Sequence, residues 1–508
     1  MNPGKPTGIL MAAEKNATGW LAARVAAALG LLISFYALAI GIGGGLFYLA
    51  WLDATTGERI HPKVIVVCLA AGASVIWAII PRPDKFEAPG PRVHSSEEPE
   101  LFKVLQDVAT TTAQTMPAEV YVVNDVNAFV TSRGGVMGFG SRRVMGLGLP
   151  LMQALTVQEF KGVLAHEFGH YSSGDVGLGP WIHKTRAAIG RTIQNLNENI
   201  LQKVFIWYGN LFLWITHSIS RRQEFIADAV AAKAVGADVM MSALRKVRGA
   251  AMAFDGFWGN ELGIVIGSGH LPPVSQGFAH FMSVPRVQTQ LRAYIAQAEA
   301  ADRTDPYDTH PALGDRLAAL SVLPKGPADD PRPASVLLTN VLKWERRVLG
   351  TIVSDEWARG LKPVEWEKVA ETVYVPLWRE RVNNCGQLLQ GRTIGSVPHT
   401  HDDLLRIGSV LRGEDEAELA PEAAVHRAWQ LLIAALALPL VEMGWTPHLA
   451  PGDEVTLRRG NHELKPYSEL SAVVQNEVVF DWWVSRCKAL GIADVPLADS
   501  ASPAQPAA

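Results

Sequence analysis

One pentapeptide in this 508-residue chain carries an evident chemical possibility: His166-Glu167-Phe168-Gly169-His170. On a helix, imidazoles four positions apart share one face, so both can converge on a single zinc ion. Glu167 lies beside them, placed to take a proton from a water that the metal acidifies. The helix has its own start signal. Thr156 and Glu159 form a capping box, and Phe160, Val163 and Leu164 supply an apolar stripe. Two histidines do not complete a catalytic zinc site, which takes three protein ligands and keeps one position open. A third candidate lies 54 residues after His170. The stretch 220–228 (SRRQEFIAD) reads as a helix that puts Glu224 and Asp228 on one face. Glu224 would complete a His, His, Glu set for one Zn2+ per chain, with Asp175 and His310 next in line. Asp228 would accept the free ring N–H of a ligating imidazole. Taken alone, the Glu224 and Asp228 pair reads as a solvated helix face; joined to HEFGH, it reads as ligand and support.

The rest of the chain must position these groups. Hydrophobic residues make up 48% and charged residues 19%, against about 25% charged in ordinary soluble domains. Mean hydropathy is +0.11. This excludes a disordered chain and points to membrane segments. A net charge of −4 leaves no basic footprint for nucleic acid. Cys68, Cys385 and Cys487 are scattered and odd in number, so they form neither a disulfide framework nor a thiolate zinc site. Residues 25–52 and 64–80 are uncharged runs that read as two transmembrane spans within a hairpin over 20–80, after an N-terminal tail at 1–19. The first run is too long and begins too late for a cleaved signal peptide. Lys5, Lys15, Arg24, Arg82, Lys85 and Arg92 flank the pair, against Arg59 and Lys63 between the spans. That asymmetry places both ends, and the catalytic domain, on the cytoplasmic side. Gly41 and Gly45 offer a small-residue spacing for helix approach.

A stiff linker at 81–98 leads to a domain at 99–322. There 100–116 reads as an amphipathic helix, 119–123 and 127–131 as strands, and 132–135 as a turn. The glycines at 134–148 lack a strand–GxGxxG–helix context, so no nucleotide loop is expected. A second Pro-rich break at 323–336 precedes a mostly helical domain at 337–498 and a tail at 499–508. The expected class is mainly α, with an α+β catalytic domain and a small sheet.

With these residues in place, the chain resembles the HtpX-like and CAAX-prenyl-endopeptidase family of integral-membrane zinc metallopeptidases. HEFGH, the Asn127-Ala128-Phe129 element, the SRxxExxAD pattern from Ser220 to Asp228, and Thr309-His310-Pro311 with Arg316 all occur in the family's order. The resemblance implies that Asn127, Ala128 and Phe129 lie on a substrate-binding edge strand. It implies that His310 helps hold the tetrahedral intermediate and that Arg316 is the buried arginine near the site. An extended peptide would be oriented by main-chain pairing with that strand. The implied partners are protein or peptide substrates and the lipid bilayer, in membrane-protein quality control. A prenyl-protein endopeptidase and a zinc-binding but proteolytically silent scaffold are the alternative readings.

The chain departs from that family twice. Relatives carry two further spans between the HExxH and Glu motifs, whereas here 177–203 is interrupted by Lys184, Arg186, Arg191 and Lys203, and only 204–219 is apolar. A single crossing there would put Glu224 about 30 Å from His166, across the bilayer. The segment is therefore expected to lie on the membrane surface or be buried, with Trp207, Tyr208 and Trp214 suited to an interface and His217 structural. The long C-terminal extension is the second departure. Its apolar run at 429–441 contains Pro439 and reads as a soluble core helix, and His399, His401 and Asp403 read as a polar loop.

Overall fold

The computed structural model describes residues 8–56, 60–80, 86–134, 140–170, 185, 188–194, 200–300, 311–326, 330–411 and 421–498. The described residues are mostly helical, with three small sheets. The chain divides into two compact units, Met1–Ala251 with Arg292–Thr351, and Met252–Leu291 with Ile352–Ala508. These cuts do not follow the Pro-rich breaks in the sequence.

The first unit begins with a helical hairpin. Helix α1 (Gly8–Thr56) starts well before the apolar run, so much of the expected N-terminal tail is already helical. Helix α2 (Pro62–Ile79) returns alongside it. Ala26–Thr56 and Pro62–Ile79 are both long and apolar enough to cross a membrane. Ile33, Ile40, Val66, Val67 and Trp77 point outward from the pair, as lipid-facing side chains would. The close approach is made by Gly43 and Gly72. A Cβ at Gly43 would stand 2.8 Å from Ile76, and one at Gly72 2.9 Å from Phe47. A Cβ at Gly41 or Gly45 would meet nothing within 4 Å, so the expected spacing is not the contact.

A four-stranded sheet follows, with β1 (Arg92–Val93), β2 (Glu119–Val123), β3 (Ala128–Arg133) and β4 (Arg142–Gly148) in the order β1-β2-β4-β3. The end of the expected linker thus joins the sheet as β1. Helix α3 (Pro99–Thr111) buries Leu101, Val104, Leu105 and Val108. Strand β3 lies at an edge, antiparallel to β4 with Ala128 opposite Leu147 and Phe129 opposite Gly146. Phe129 lies across Gly146, where a Cβ would stand 2.3 Å from the ring. The short helix α4 (Leu149–Ala154) then leads to α5 (Val157–Gly169), which carries the HEFGH string. Its capping box forms as expected: Glu159 N–H donates to Thr156 Oγ1 at 3.2 Å, and Thr156 N–H donates to Glu159 Oε2 at 2.9 Å. The second Pro-rich break is pinned here as well. Val157 N–H donates to the Arg332 carbonyl, and Ala334 N–H to that of Leu155.

Residues 204–219 and the 220–228 motif belong to one continuous helix, α6 (Ile200–Val235), 36 residues long. Phe205, Tyr208 and Phe212 are buried in a cluster with Phe35, Ala39 and Val75 of the hairpin, while Trp207 and Trp214 stay exposed. This segment therefore packs on the hairpin along one side. Helices α7 (Ala237–Phe257) and α8 (Leu313–Ser321) lie further along the chain.

In the second unit, the run at 429–441 lies within the helix Pro421–Glu442. That helix is long and apolar enough to cross a membrane. Its Leu431, Leu432, Leu436 and Leu440 are nevertheless fully buried in a core shared with Trp378, Trp445 and Trp483. His399 and Asp403 have local structural partners. Thr400 caps the helix His401–Val410 by accepting from Asp403 N–H, and His399 stacks on Phe480.

The Glu159 carboxylate does more than cap. It also accepts from Ser242 Oγ at 2.7 Å and Lys246 Nζ at 2.8 Å, tying α5 to α7. Burial alone would raise its pKa, but the bonds from Lys246, Thr156 N–H and Ser242 outweigh burial and hold it below the usual range. Glu159→Ala should destabilise the first unit by about 2–4 kcal/mol, the sum of a lost cap and a lost buried acceptor. Because the folded pKa is the lower one, the contribution is complete above about pH 4.3 and drains as pH falls through the folded value. Denaturant midpoints of both proteins at pH 7 and near pH 3 measure this; equal midpoints at pH 7 would refute it.

Candidate metal centre

The site is assembled where α5 and α6 approach closely. A Cβ at Gly169 would stand 2.9 Å from the Ala227 Cα, so only glycine lets the two backbones meet at this point. Further along, Gly162 faces Val235. This contact turns the histidine face of α5 towards the carboxylate face of α6. His166 Nε2 stands 3.5 Å from Glu224 Oε2, and His170 Nε2 stands 3.6 Å from Glu224 Oε1. The imidazole rings are edge to face, with centroids 4.8 Å apart.

Asp228, one turn beyond Glu224, sits behind the first histidine. Its Oδ1 is 3.0 Å from His166 Nδ1, which leaves Nε2 to face Glu224. Arg316 of α8 grips the same carboxylate from the other side, with Nε 2.8 Å from Oδ2 and an Nη atom 2.6 Å from Oδ1. Arg316 also reaches Glu224 Oε2 at 3.4 Å. His166, Glu224 and Asp228 are all buried, Asp228 to 2% exposure. At that depth Asp228 should resist ionisation, yet Arg316 and His166 lower its pKa. Burial also works against a charged His166, but Asp228 and Glu224 outweigh it and hold the imidazole up at about 9. Burial and the neighbouring His166 push His170 down to about 4.

This donor set fits zinc. The ligand atoms of His166, His170 and Glu224 all lie within 4.8 Å of one another. A tetrahedral ion with bonds of about 2.1 Å spaces its ligand atoms about 3.4 Å apart, close to the two histidine–glutamate distances. Two imidazoles and one carboxylate are also a known composition for a zinc site with an open position. Among the described residues, the structure brings His166, His170, Glu224, Asp228 and Arg316 into one network, with Glu167 half-buried beside it. Asn127 is exposed at the head of β3, and β3 packs against α5. His310 and Asp175 lie outside the described residues. The sequence reading had Glu159 only as a cap and missed its link to Ser242 and Lys246. Gly169 inside the HEFGH string was the available sign of close helix contact.

Residues 95–323 match Peptidase family M48. Protease HtpX of Idiomarina loihiensis is 28% identical over 167 residues, covering 29% of this chain and 56% of that protein. An HtpX homologue of Tropheryma whipplei is 26% identical over 183 residues, 31% and 59% of the two chains. A third, from Janthinobacterium, is 27% identical over 215 residues, 37% and 72%. The chain thus spans little more than half the length of the first two. No solved structure matches it. The resemblance read from the motifs to HtpX-like metallopeptidases holds, and the M48 match covers the stretch that carries them.

With His166 held as an imidazolium, protonated on both ring nitrogens, and His170 held neutral, metal uptake through the His166 Nε2 must displace about one ligand proton at pH 7. Calorimetric zinc titrations in buffers of different ionisation enthalpy should report this, and Asp228→Asn should reduce the number. Release of two protons, or of none, would contradict the arrangement.

Proposed function

We propose that this chain is a membrane-anchored zinc endopeptidase that uses Glu167 as its general base. The observation carrying this reading is the convergence of His166, His170 and Glu224 at zinc-ligand spacing, with Glu167 beside them on the histidine helix. A zinc ion held by those three residues would polarise a scissile carbonyl and make water a better nucleophile near neutral pH. Glu167 accepts the proton of the attacking water and passes it to the departing amine. Asp228 keeps His166 in the tautomer whose Nε2 faces the site, and Arg316 keeps Asp228 ionised. His310 is assigned to the oxyanion on resemblance alone. The two apolar hairpin helices and the likeness to HtpX proteases support a membrane setting; membrane-protein quality control is assigned on the family resemblance alone.

Strand β3 supports a binding mode. Gly148 N–H donates to the Asn127 carbonyl at 2.8 Å. In an antiparallel ladder that alternates, the main-chain groups of Ala128 then point away from β4. An extended peptide added along this edge would be held through its backbone, with broad sequence tolerance.

Glu167→Gln should keep stoichiometric zinc and lose about 10²–10⁴-fold in peptide hydrolysis, since an amide cannot carry the proton. Glu224→Ala should lose the zinc itself, and Asp228→Ala should weaken zinc affinity or activity by about 10–100-fold. Metal analysis of the purified variants beside a casein assay with a chelator control decides these assignments. Full zinc and full activity in Glu224→Ala would move the third ligand elsewhere.

Ala128→Pro removes the outward donor without touching the β4 ladder. Catalytic efficiency on peptides should fall while zinc content stays. An unchanged efficiency in a folded variant would take β3 out of the binding mode.

A further inference from the structure

Helix α6 joins the membrane hairpin to the metal centre without interruption. At one end, the Phe205 ring lies 6.1 Å from that of Phe35, and Tyr208 Oη meets Ser34 Oγ at 2.6 Å and the Leu31 carbonyl. As α6 advances from 205 to 208, its partners on α1 step back from 35 to 31. The two helices are therefore antiparallel. Since α1 enters the membrane going forward, α6 leaves it going forward, and Glu224 lies on the outgoing half. The Tyr208 hydroxyl pins this arrangement along the helix axis.

The bilayer edge along α6 can be bracketed. Helix α2, 18 residues long, spans about 27 Å, close to the hydrocarbon thickness of about 30 Å. It ends at Ile79, which clusters with Phe35 and Phe205, and there Arg191 Nε donates to the Ala78 carbonyl, a cation at a helix C-terminus. The edge is thus no deeper than Phe205. Beyond that level, Ile33 of α1 and Trp207 and Trp214 of α6 remain apolar and exposed, 65%, 66% and 50%. These side chains continue the lipid-facing surface of the hairpin as far as Trp214, and Trp favours the membrane interface. The edge is no further out than Trp214. Glu224 is nineteen residues beyond Phe205 and ten beyond Trp214. At 1.5 Å per helical residue, the candidate metal centre stands about 15–28 Å from the hydrocarbon measured along the α6 axis, which is the greatest height the helix allows.

We infer that α6 acts as a ruler, and that the enzyme cuts membrane-anchored polypeptides within a window set by distance from the bilayer. An extended substrate advances about 3.3 Å per residue, so the scissile bond falls about five to nine residues from the end of the substrate's transmembrane segment. Shorter tethers cannot reach. Longer tethers can, but the effective concentration at the site falls with tether length. This inference rests on the endopeptidase reading above and adds where on a substrate that site acts.

The test uses the full-length, zinc-loaded protein in phosphatidylcholine and phosphatidylglycerol vesicles. Substrates carry one transmembrane helix followed by a repetitive, uniformly cleavable stretch, with Gly-Ser inserts of zero to twenty residues between them, and an unanchored copy serves as control. Mass spectrometry maps the cut bonds. The expected result is cutting confined to about five to nine residues from the helix when no insert is present. As inserts lengthen, cuts should stay at a constant distance from the membrane, moving into the insert or fading, and the unanchored copy should be cut without positional preference. Cuts that follow the sequence irrespective of insert length, at equal rates with and without the anchor, would overturn the ruler and leave the endopeptidase standing. Absence of any cut in either substrate would overturn both.

Discussion

A single buried carboxylate organises the candidate metal centre. Asp228 has almost no contact with water, and an isolated ion at that depth would be neutralised rather than tolerated. It persists because Arg316 grips it in a fork and His166 presents a ring nitrogen to it. Each partner gains in return. Arg316 is anchored close enough to reach Glu224, and His166 is turned so that its Nε2 meets the same carboxylate. Three elements distant in sequence, α5, α6 and α8, are thereby fixed around one point. Breaking such a pair by removing one member leaves an uncompensated buried charge, which costs more than the pair itself contributes.

The contact that allows this is steric. Gly169 lets α5 touch the backbone of α6 at Ala227, one residue before Asp228. The helix start is fixed independently by the Thr156 and Glu159 box, so the histidines are set in height by the cap and in depth by the glycine. Placing four chemical groups within hydrogen-bond or ligand distance needs both constraints, since a shift of one residue in either helix would rotate a ligand off the shared face.

Much of this was legible in the residues. HEFGH, its capping box and the i, i+4 carboxylates each follow a local rule, and strand 119–123 was read with the bounds it has. What was not legible depended on packing between distant segments. The hairpin contact uses Gly43 and Gly72 from different helices, and no spacing within one helix can reveal it. The apolar segment before Glu224 gave no sign that it and the ligand helix were one rod, because its burial is supplied by Phe35 and Val75 more than a hundred residues earlier. The 429–441 run was readable as core only because Pro439 and its length argued against a span; its extension to Pro421–Glu442 erases the length argument, and burial among three tryptophans replaces it. His310 rests on motif resemblance alone.

The account stands on one claim, that His166, His170 and Glu224 hold a single zinc ion. X-ray absorption at the zinc edge of the stoichiometrically loaded full-length protein addresses it most directly. Four nitrogen or oxygen neighbours at about 2.0–2.1 Å, with outer-shell scattering that counts two imidazoles, is the predicted spectrum. A sulfur neighbour at about 2.3 Å, or scattering from three or more imidazoles, would contradict it.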